Sequence, residues 1–199
     1  MCDLNEYAIF REHVSTFRET CVDQSDGERN ALLTQSERKV INFDEVKNEY
    51  IKGLHLTEAP CSNDALFDAG NGILAFVEFK NGDIKGEKVY DLRKKIYDSV
   101  LIFSDITDLT ISDTRTFMDY ILVYNREKNP ERLDTQPKDH NDNNTTIQES
   151  QSYEHFVDFV SDRAKTETIR FGLKKFKDYL FRNVHTYDEV QFEWYLQHL

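Results

Sequence analysis

The sequence predicts an α/β protein in which helices flank a mixed central sheet. Three observations predict this class. Two apolar runs around a Gly/Asn-rich break indicate a β-hairpin at residues 64–80, a helical stripe of apolar residues follows at 89–103, and another apolar run at 117–124 indicates a further strand. Alternating strands and helices favour a sheet with helices packed on it.

The chain before the hairpin is predicted to be mainly helical. Apolar residues recur at helical spacing in residues 7–17 and again between 31 and 41. A third helix is expected at 43–52, where Gly53 suits the position that follows a helix end. Residues 54–57 are the expected first strand of the sheet.

The predicted hairpin folds back near residue 71, because glycine and asparagine favour tight turns. Asp64 is therefore expected opposite Val77 or Glu78. Glu78 and Lys80 are two residues apart in a strand, so their side chains leave the same face. The hairpin thus predicts two carboxylates and one ammonium group at one place.

This trio suggests phosphodiester chemistry. Two nearby carboxylates, Asp64 and Glu78, repel each other, and a divalent cation such as Mg²⁺ relieves that repulsion through oxygen ligation. A neighbouring lysine, Lys80, can orient a water or neutralise charge in the transition state. Asp68 is expected near the turn, about 16 Å along the strand from Glu78, which excludes it from a shared metal.

Asp64, followed fourteen positions later by Glu78-Phe79-Lys80, resembles the active-site signature of the PD-(D/E)xK nuclease superfamily. The resemblance covers residues from about 43 to 125 and implies a restriction-endonuclease-like core. It implies that Asp64 and Glu78 bind the metal and that Lys80 assists the attacking water. Asn63 stands where the signature often has proline. A Glu-x-Lys pair is also typical of a solvated strand face with an ion pair, and this alternative stays open.

The resemblance also implies accessory residues. Many members carry an acid on the helix before the first strand of the core, and Glu49 and Glu45 are the candidates here. Lys95, beside Ser99 at the edge of the apolar stripe of the next helix, is a candidate for reaching a phosphate. A surface lysine whose stem lies along the core is the alternative for Lys95.

The charge distribution bears on the partners. The chain carries a formal net charge of −12, which opposes nucleic-acid binding at long range. Basic residues nevertheless dominate at 78–95 and 163–182, and Lys174, Lys175 and Lys177 are candidates for contacting nucleic acid. Three cysteines without C-x-x-C spacing favour reduced thiols. The chain lacks a long apolar stretch and a signal peptide, so a cytoplasmic protein without membrane contact is expected.

The domain organisation is predicted in three parts. Residues 1–125 form N-terminal helices and the nuclease-like core, the polar residues 126–152 form a linker or flap, and 153–199 form a helical C-terminal extension. The apolar sets that indicate these last helices are Phe156, Phe159 and Val160, then Leu173, Phe176 and Leu180, then Phe192, Tyr195 and Leu196.

The expected function is Mg²⁺-dependent hydrolysis of nucleic acid, with DNA as the expected substrate. Asp64, Glu78 and the carbonyl of Phe79 would hold Mg²⁺, for which Mn²⁺ can substitute. The resemblance implies a bacterial restriction, phage-defence or repair setting, with a protein partner or a homodimer as an option. The alternative is a non-enzymatic acidic interaction protein, such as an immunity or inhibitor protein or an accessory subunit, on the same fold.

Overall fold

The computed structural model describes residues 2–22, 32–130 and 168–199. Met1–Asn129 and Ile169–Leu199 belong to one compact unit, and Pro130–Thr168 to another. Most of the predicted linker at 126–152, and the predicted apolar set at Phe156, Phe159 and Val160, lie outside the described residues. The account below concerns the first unit.

This unit contains a mixed six-stranded sheet whose strands follow one another in chain order. The first four strands pair antiparallel, and the last three pair parallel. The strands are β1 (Val14–Thr16), β2 (Lys39–Asn42), β3 (Ala65–Gly70), β4 (Ile73–Lys80), β5 (Met118–Tyr124) and β6 (Asn183–Asp188). Helices flank this sheet, so the predicted α/β class is confirmed.

Several helices in the described ranges begin at side-chain caps. The side chains of Thr16, Asn42, Thr110 and Asp188 each accept a hydrogen bond from the first turn of the helix that follows. The helices are α1 (Ala8–Glu12), α2 (Phe17–Thr20), α3 (Phe43–Tyr50), α4 (Glu87–Thr107), α5 (Ile111–Phe117) and α6 (Glu189–Gln197). None of them combines the length and apolar character needed to cross a membrane.

Each face of the sheet carries its own apolar core, because successive residues of a strand point to opposite sides. On β4, Leu74 and Phe76 join the core that includes Leu92 and Ile96 of α4. The intervening residues Ala75, Val77 and Phe79 join a second core with Phe17 of α2 and Phe192 of α6. Glu78 follows Phe76 by two positions, so it extends from the α4 face of the sheet.

The predicted hairpin and the helix after it are confirmed. Strands β3 and β4 pair as expected, and their register places Asp68 opposite Leu74, four residues from Glu78. Asn71 and Gly72 adopt positive φ at the turn, as the Gly/Asn-rich break predicts. The apolar stripe predicted at 89–103 lies within α4.

The prediction for the N-terminal region is wrong in part. The helix expected at 7–17 is interrupted by β1, whose Val14 and Thr16 are β-branched residues that suit a strand. The second helix, expected between 31 and 41, is not formed by the described residues: 32–38 carry neither helix nor strand, and 39–42 form β2. Residues 23–31 lie outside the described part. Residues 54–57, the expected first strand, form an exposed segment without strand assignment.

The expectation of a wholly helical C-terminal extension at 153–199 is also wrong. Strand β6 pairs parallel with β5 and extends the sheet. Its sequence, Asn-Val-His-Thr-Tyr-Asp, buries every second residue, which is the strand period. Leu173, Phe176 and Leu180 are buried around a short 3₁₀ turn at Lys174–Phe176, and α6 matches the helix predicted from Phe192, Tyr195 and Leu196.

Candidate active site

The hairpin register brings the two predicted carboxylates together. Ala65 pairs with Val77, which places Asp64, the residue before β3, across from Glu78. The backbone N–H of Phe79 donates to Oδ2 of Asp64 at 2.6 Å. A strand residue directs its N–H and C=O to the same side, so the Phe79 carbonyl also faces the side of Asp64.

Glu78 is the buried centre of the site. Its side chain has no exposed surface, yet Oε1 lies 2.9 Å from Nζ of Lys80 and 2.7 Å from Nζ of Lys95. Its second oxygen, Oε2, is buried and has no hydrogen-bond partner in the described part of the chain. A carboxylate is stable in such a place only with nearby positive charge, which the two lysines provide.

Lys95 connects the two carboxylates. Its Nζ lies 3.1 Å from Oδ1 of Asp64, in addition to its contact with Glu78. The next turn of α4 is tied to the segment before Asp64, since Oγ of Ser99 accepts the backbone N–H of Asn63 at 2.8 Å. We call Asp64, Glu78, Lys80 and Lys95 the charged cluster.

The surroundings of Asp64 and Lys95 shift the pKa values of these two residues. Burial, together with the charge of Glu78, raises the pKa of Asp64 from 3.8 to about 7. Burial acts to lower the pKa of Lys95, but the charges of Glu78 and Asp64 outweigh it and raise this pKa above its ordinary value. Lys95 therefore stays protonated at neutral pH, and the charge of Asp64 depends on pH in the same range.

The helix acid that acts on the cluster is Asp44, which the sequence analysis missed. Its charge raises the pKa values of both Asp64 and Lys95, and its Oδ1 accepts a short hydrogen bond from Oγ of Ser62. The predicted accessory Glu49 instead pairs with Lys52, and its side chain is 40% exposed. The sequence places Asp44 on the same predicted helix as Glu45 and Glu49, but no local signal selects Asp44 among these acids.

Glu45, the other predicted helix acid, is exposed on α3. The predicted nucleic-acid contacts, Lys174, Lys175 and Lys177, form no ion pair with the charged cluster in the described part of the chain. Lys174 and Lys175 belong to the 3₁₀ turn, and Lys177 follows it. Nζ of Lys175 lies 4.8 Å from the ring centroid of Phe176. Within the described residues, the ion pairs of the charged cluster join only its four members.

The donor set of the cluster fits a hard divalent cation. Asp64 and Glu78 offer carboxylate oxygens, the preferred ligands of Mg²⁺, and Oε2 of Glu78 is buried with no protein partner in the described ranges. Mg²⁺ usually takes only one or two protein carboxylates and keeps waters. No group of three or more His, Cys, Asp or Glu side chains in those ranges is placed to hold a metal. The pair of carboxylates, with the Phe79 carbonyl, falls within the ligand number that Mg²⁺ usually takes from a protein.

Comparison of the chain with protein-family models, curated proteins and solved structures gives no match. The interpretation of the charged cluster therefore rests on its residues and their geometry.

Proposed function

We propose that the protein is a nuclease that hydrolyses phosphodiester bonds of nucleic acid with Mg²⁺, and that DNA is its substrate. The observation that carries the proposal is the burial of Glu78 beside Asp64 with Lys80 and Lys95 on the same oxygen. Few structural roles require two buried carboxylates and two ammonium groups at one point, because each buried charge costs several kcal/mol of desolvation. Perturbed groups of this kind concentrate at functional sites.

The order of the elements supports the same proposal. A helix (α3), a hairpin (β3 and β4), a helix (α4) and a strand parallel to β4 (β5) follow one another, and the carboxylates lie on the hairpin. We infer from this order, together with the motif, that the core is restriction-endonuclease-like. A setting in bacterial restriction, phage defence or DNA repair follows from the same inference.

In this proposal Asp64 and Glu78 would hold Mg²⁺, with the Phe79 carbonyl as a third oxygen. Bound Mg²⁺ would supply a water of lowered pKa and stabilise negative charge on the phosphoryl oxygens. Lys80, whose side chain is 28% exposed, is the cluster member that is most open to solvent and orients the attacking water. The Glu78 contact holds the Lys80 ammonium in place for this role.

Lys95 has a different role. Its ammonium lies on Oδ1 of Asp64 and Oε1 of Glu78, so it compensates the two carboxylates while no metal is bound. Asp64 and Glu78 would share their negative charge between bound Mg²⁺ and the Lys95 ammonium. With the carboxylates holding the ion, the Lys95 ammonium would be available to a substrate phosphate.

A cleavage assay with matched variants tests the proposal. Single- and double-stranded DNA and RNA oligonucleotides are incubated with the protein and Mg²⁺ or Mn²⁺, beside Asp64→Asn and Lys80→Met. Both variants should lose at least about a hundredfold in rate. The control is Asp68→Asn, which replaces an exposed acid on β3. This variant should cleave at the wild-type rate. Equal rates in all four proteins, or no cleavage by any of them, would contradict the proposal.

A second candidate function is a non-enzymatic interaction protein. The observation that favours it is the internal charge balance of the cluster, in which two ammonium groups neutralise two carboxylates without any metal. The net charge of −12 suits an inhibitor or accessory subunit that binds a basic protein. Titration calorimetry separates the two functions, because this candidate predicts no heat with Mg²⁺ and tight binding of a basic partner.

A further inference from the structure

An apolar groove lies between α4 and the segment at residues 54–60. It encloses about 540 Å³, and its walls include Leu54 and Leu56 on the segment and Leu101 on α4. These three leucine residues are 47%, 50% and 63% exposed. Single exposed leucines are ordinary, but several around one groove mark a surface that binds something.

Two of these leucines lie in a segment for which the sequence predicted a different structure. Leu54 and Leu56 belong to the expected first strand at 54–57, yet the structure leaves them on the surface without strand assignment. Polar contacts tie the segment and the residue after it to α4, since Glu58 pairs with Lys94 and the N–H of Cys61 donates to Oδ2 of Asp98 at 2.8 Å. The two leucines therefore remain available to a partner.

The rim of the groove is acidic. Glu58, Asp98 and Asp105 line it against one lysine, Lys94, which pairs with Glu58. Asp98 and Asp105 each accept one hydrogen bond within the fold, from Cys61 N–H and from the Tyr50 hydroxyl. A carboxylate has about four lone-pair positions, so both can accept further donors.

The acids and the leucine on α4 share one helical face. Asp98, Leu101 and Asp105 stand at i, i+3 and i+7, which places the two carboxylates about 10 Å apart with the leucine between them. A second helix lying along α4 matches this pattern if it carries leucines toward the groove and basic residues two turns apart. An extended peptide presents every second side chain on one face, and this repeat does not match the spacing of the two carboxylates.

We propose that this groove binds an amphipathic helix of a partner protein, with leucines that enter the groove and lysine or arginine residues that pair with Asp98 and Asp105. This function is separate from phosphodiester hydrolysis and does not depend on it. Charge complementarity selects the partner, because the acidic rim disfavours an acidic helix and favours a basic one.

A binding experiment with a designed probe tests the proposal. The probe is a fluorescent helical peptide of about four turns, with leucines at i, i+4 and i+7 and lysines flanking them, and anisotropy gives its Kd in the presence of EDTA. A second peptide replaces each lysine with glutamate. The basic peptide should bind the wild type, and the acidic one should bind at least about tenfold more weakly.

Variants locate the binding. Leu101→Ser and Asp105→Lys should each weaken the binding of the basic peptide by at least about tenfold. On binding to the wild type, the largest amide shifts in ¹⁵N spectra should occur at residues 54–60 and in α4. Tyr179→Ser, which removes another exposed large side chain, should bind as the wild type does. Equal binding of both peptides, no binding, or binding unaffected by Leu101→Ser overturns the proposal. Concentration-dependent dimerisation that Leu101→Ser abolishes also overturns it, because a second copy would then occupy the groove.

Discussion

Lys95 places its ammonium group 2.7 Å from Oε1 of Glu78, a carboxylate with no exposed surface. The same ammonium lies 3.1 Å from Asp64, so one side chain of α4 compensates both acids of the hairpin. The site that we propose for Mg²⁺ is therefore already neutralised by the protein. Stability and metal affinity should depend on Lys95 in opposite directions.

Replacing Lys95 by methionine should destabilise the metal-free protein by about 3 kcal/mol, because two buried carboxylates lose a shared partner. Saturating Mg²⁺ should recover most of this loss, since the ion then binds without competition. Urea unfolding in EDTA and in Mg²⁺ measures both effects. Lys85→Met is the control, because Lys85 is 73% exposed and should change stability by less than about 0.5 kcal/mol. A Lys95→Met variant as stable as the wild type in EDTA would contradict the account.

Asp64 should make stability fall as pH rises through the acid range. Its pKa is raised from 3.8 to about 7, so the folded protein keeps a proton that the unfolded chain releases between these values. The free energy of unfolding of the wild type, relative to Asp64→Asn, should therefore fall by on the order of 4 kcal/mol from pH 4 to pH 7.5. Urea denaturation across this range measures it. A constant difference between the two proteins would show that the pKa of Asp64 is not raised.

Tyr120 should tolerate loss of its hydroxyl group. The side chain is fully buried on β5, and its hydroxyl has no hydrogen-bond partner in the described residues. Tyr120→Phe should thus be neutral or stabilising, within about 1 kcal/mol. Tyr50→Phe is the comparison, since the Tyr50 hydroxyl donates to Asp105 at 2.8 Å and its loss should cost about 1 kcal/mol. A loss above about 2 kcal/mol in Tyr120→Phe would mean that its hydroxyl is bound in solution.

Another ion pair links the start of β5 to the residue before β6. Arg182 donates two hydrogen bonds to Asp119, at 3.0 and 2.7 Å, and the Asp119 side chain is 5% exposed. Although burial opposes it, hydrogen bonds from His185 and Arg182 lower the pKa of Asp119. The stabilisation is therefore present above the ordinary pKa of an aspartate and is lost as the pH falls through the lowered value.

Arg182→Met should accordingly cost about 2 kcal/mol at pH 7, because the Arg182 side chain is 40% exposed and solvent screens part of the pair, and less near pH 2, as followed by urea unfolding at both pH values. Arg18→Met removes a surface pair with Glu37, whose side chains are 53% and 65% exposed, and should cost under about 1 kcal/mol. Equal losses in the two variants at pH 7 would contradict the assigned role of the Asp119 pair.

The parts of the fold that local chemistry determines could be predicted from the sequence. The Gly/Asn break sets the hairpin turn, and the strand period then places Asp64 opposite Glu78 and Lys80 on the face of Glu78. Strands β1 and β6 were missed because a three-residue strand or an edge strand shows only a short alternating pattern of apolar and polar residues. Their pairing partners also lie far along the chain. Pairing between distant segments is a property of the whole fold.

The candidate site, too, could be predicted only where local chemistry determines it. Asp64, Glu78 and Lys80 follow from one hairpin, but the contact of Lys95 depends on how α4 is rotated over the sheet. A helix turns by about 100° per residue, so a lysine at the edge of an apolar stripe can face solvent or core with equal local propensity. Asp44 was missed for the same reason, since packing of α3 decides which of its acids faces Asp64.

The central claim is that Asp64 and Glu78 together hold a divalent ion, and a crystal structure of the wild type soaked with Mn²⁺ tests it most directly. The account predicts an anomalous peak within about 2.3 Å of oxygens of both carboxylates, with the Lys95 ammonium withdrawn from them. Asp64→Asn crystals under the same soak should lack this peak. A wild-type structure at saturating Mn²⁺ without the peak, and with Lys95 still between the two acids, would contradict the account.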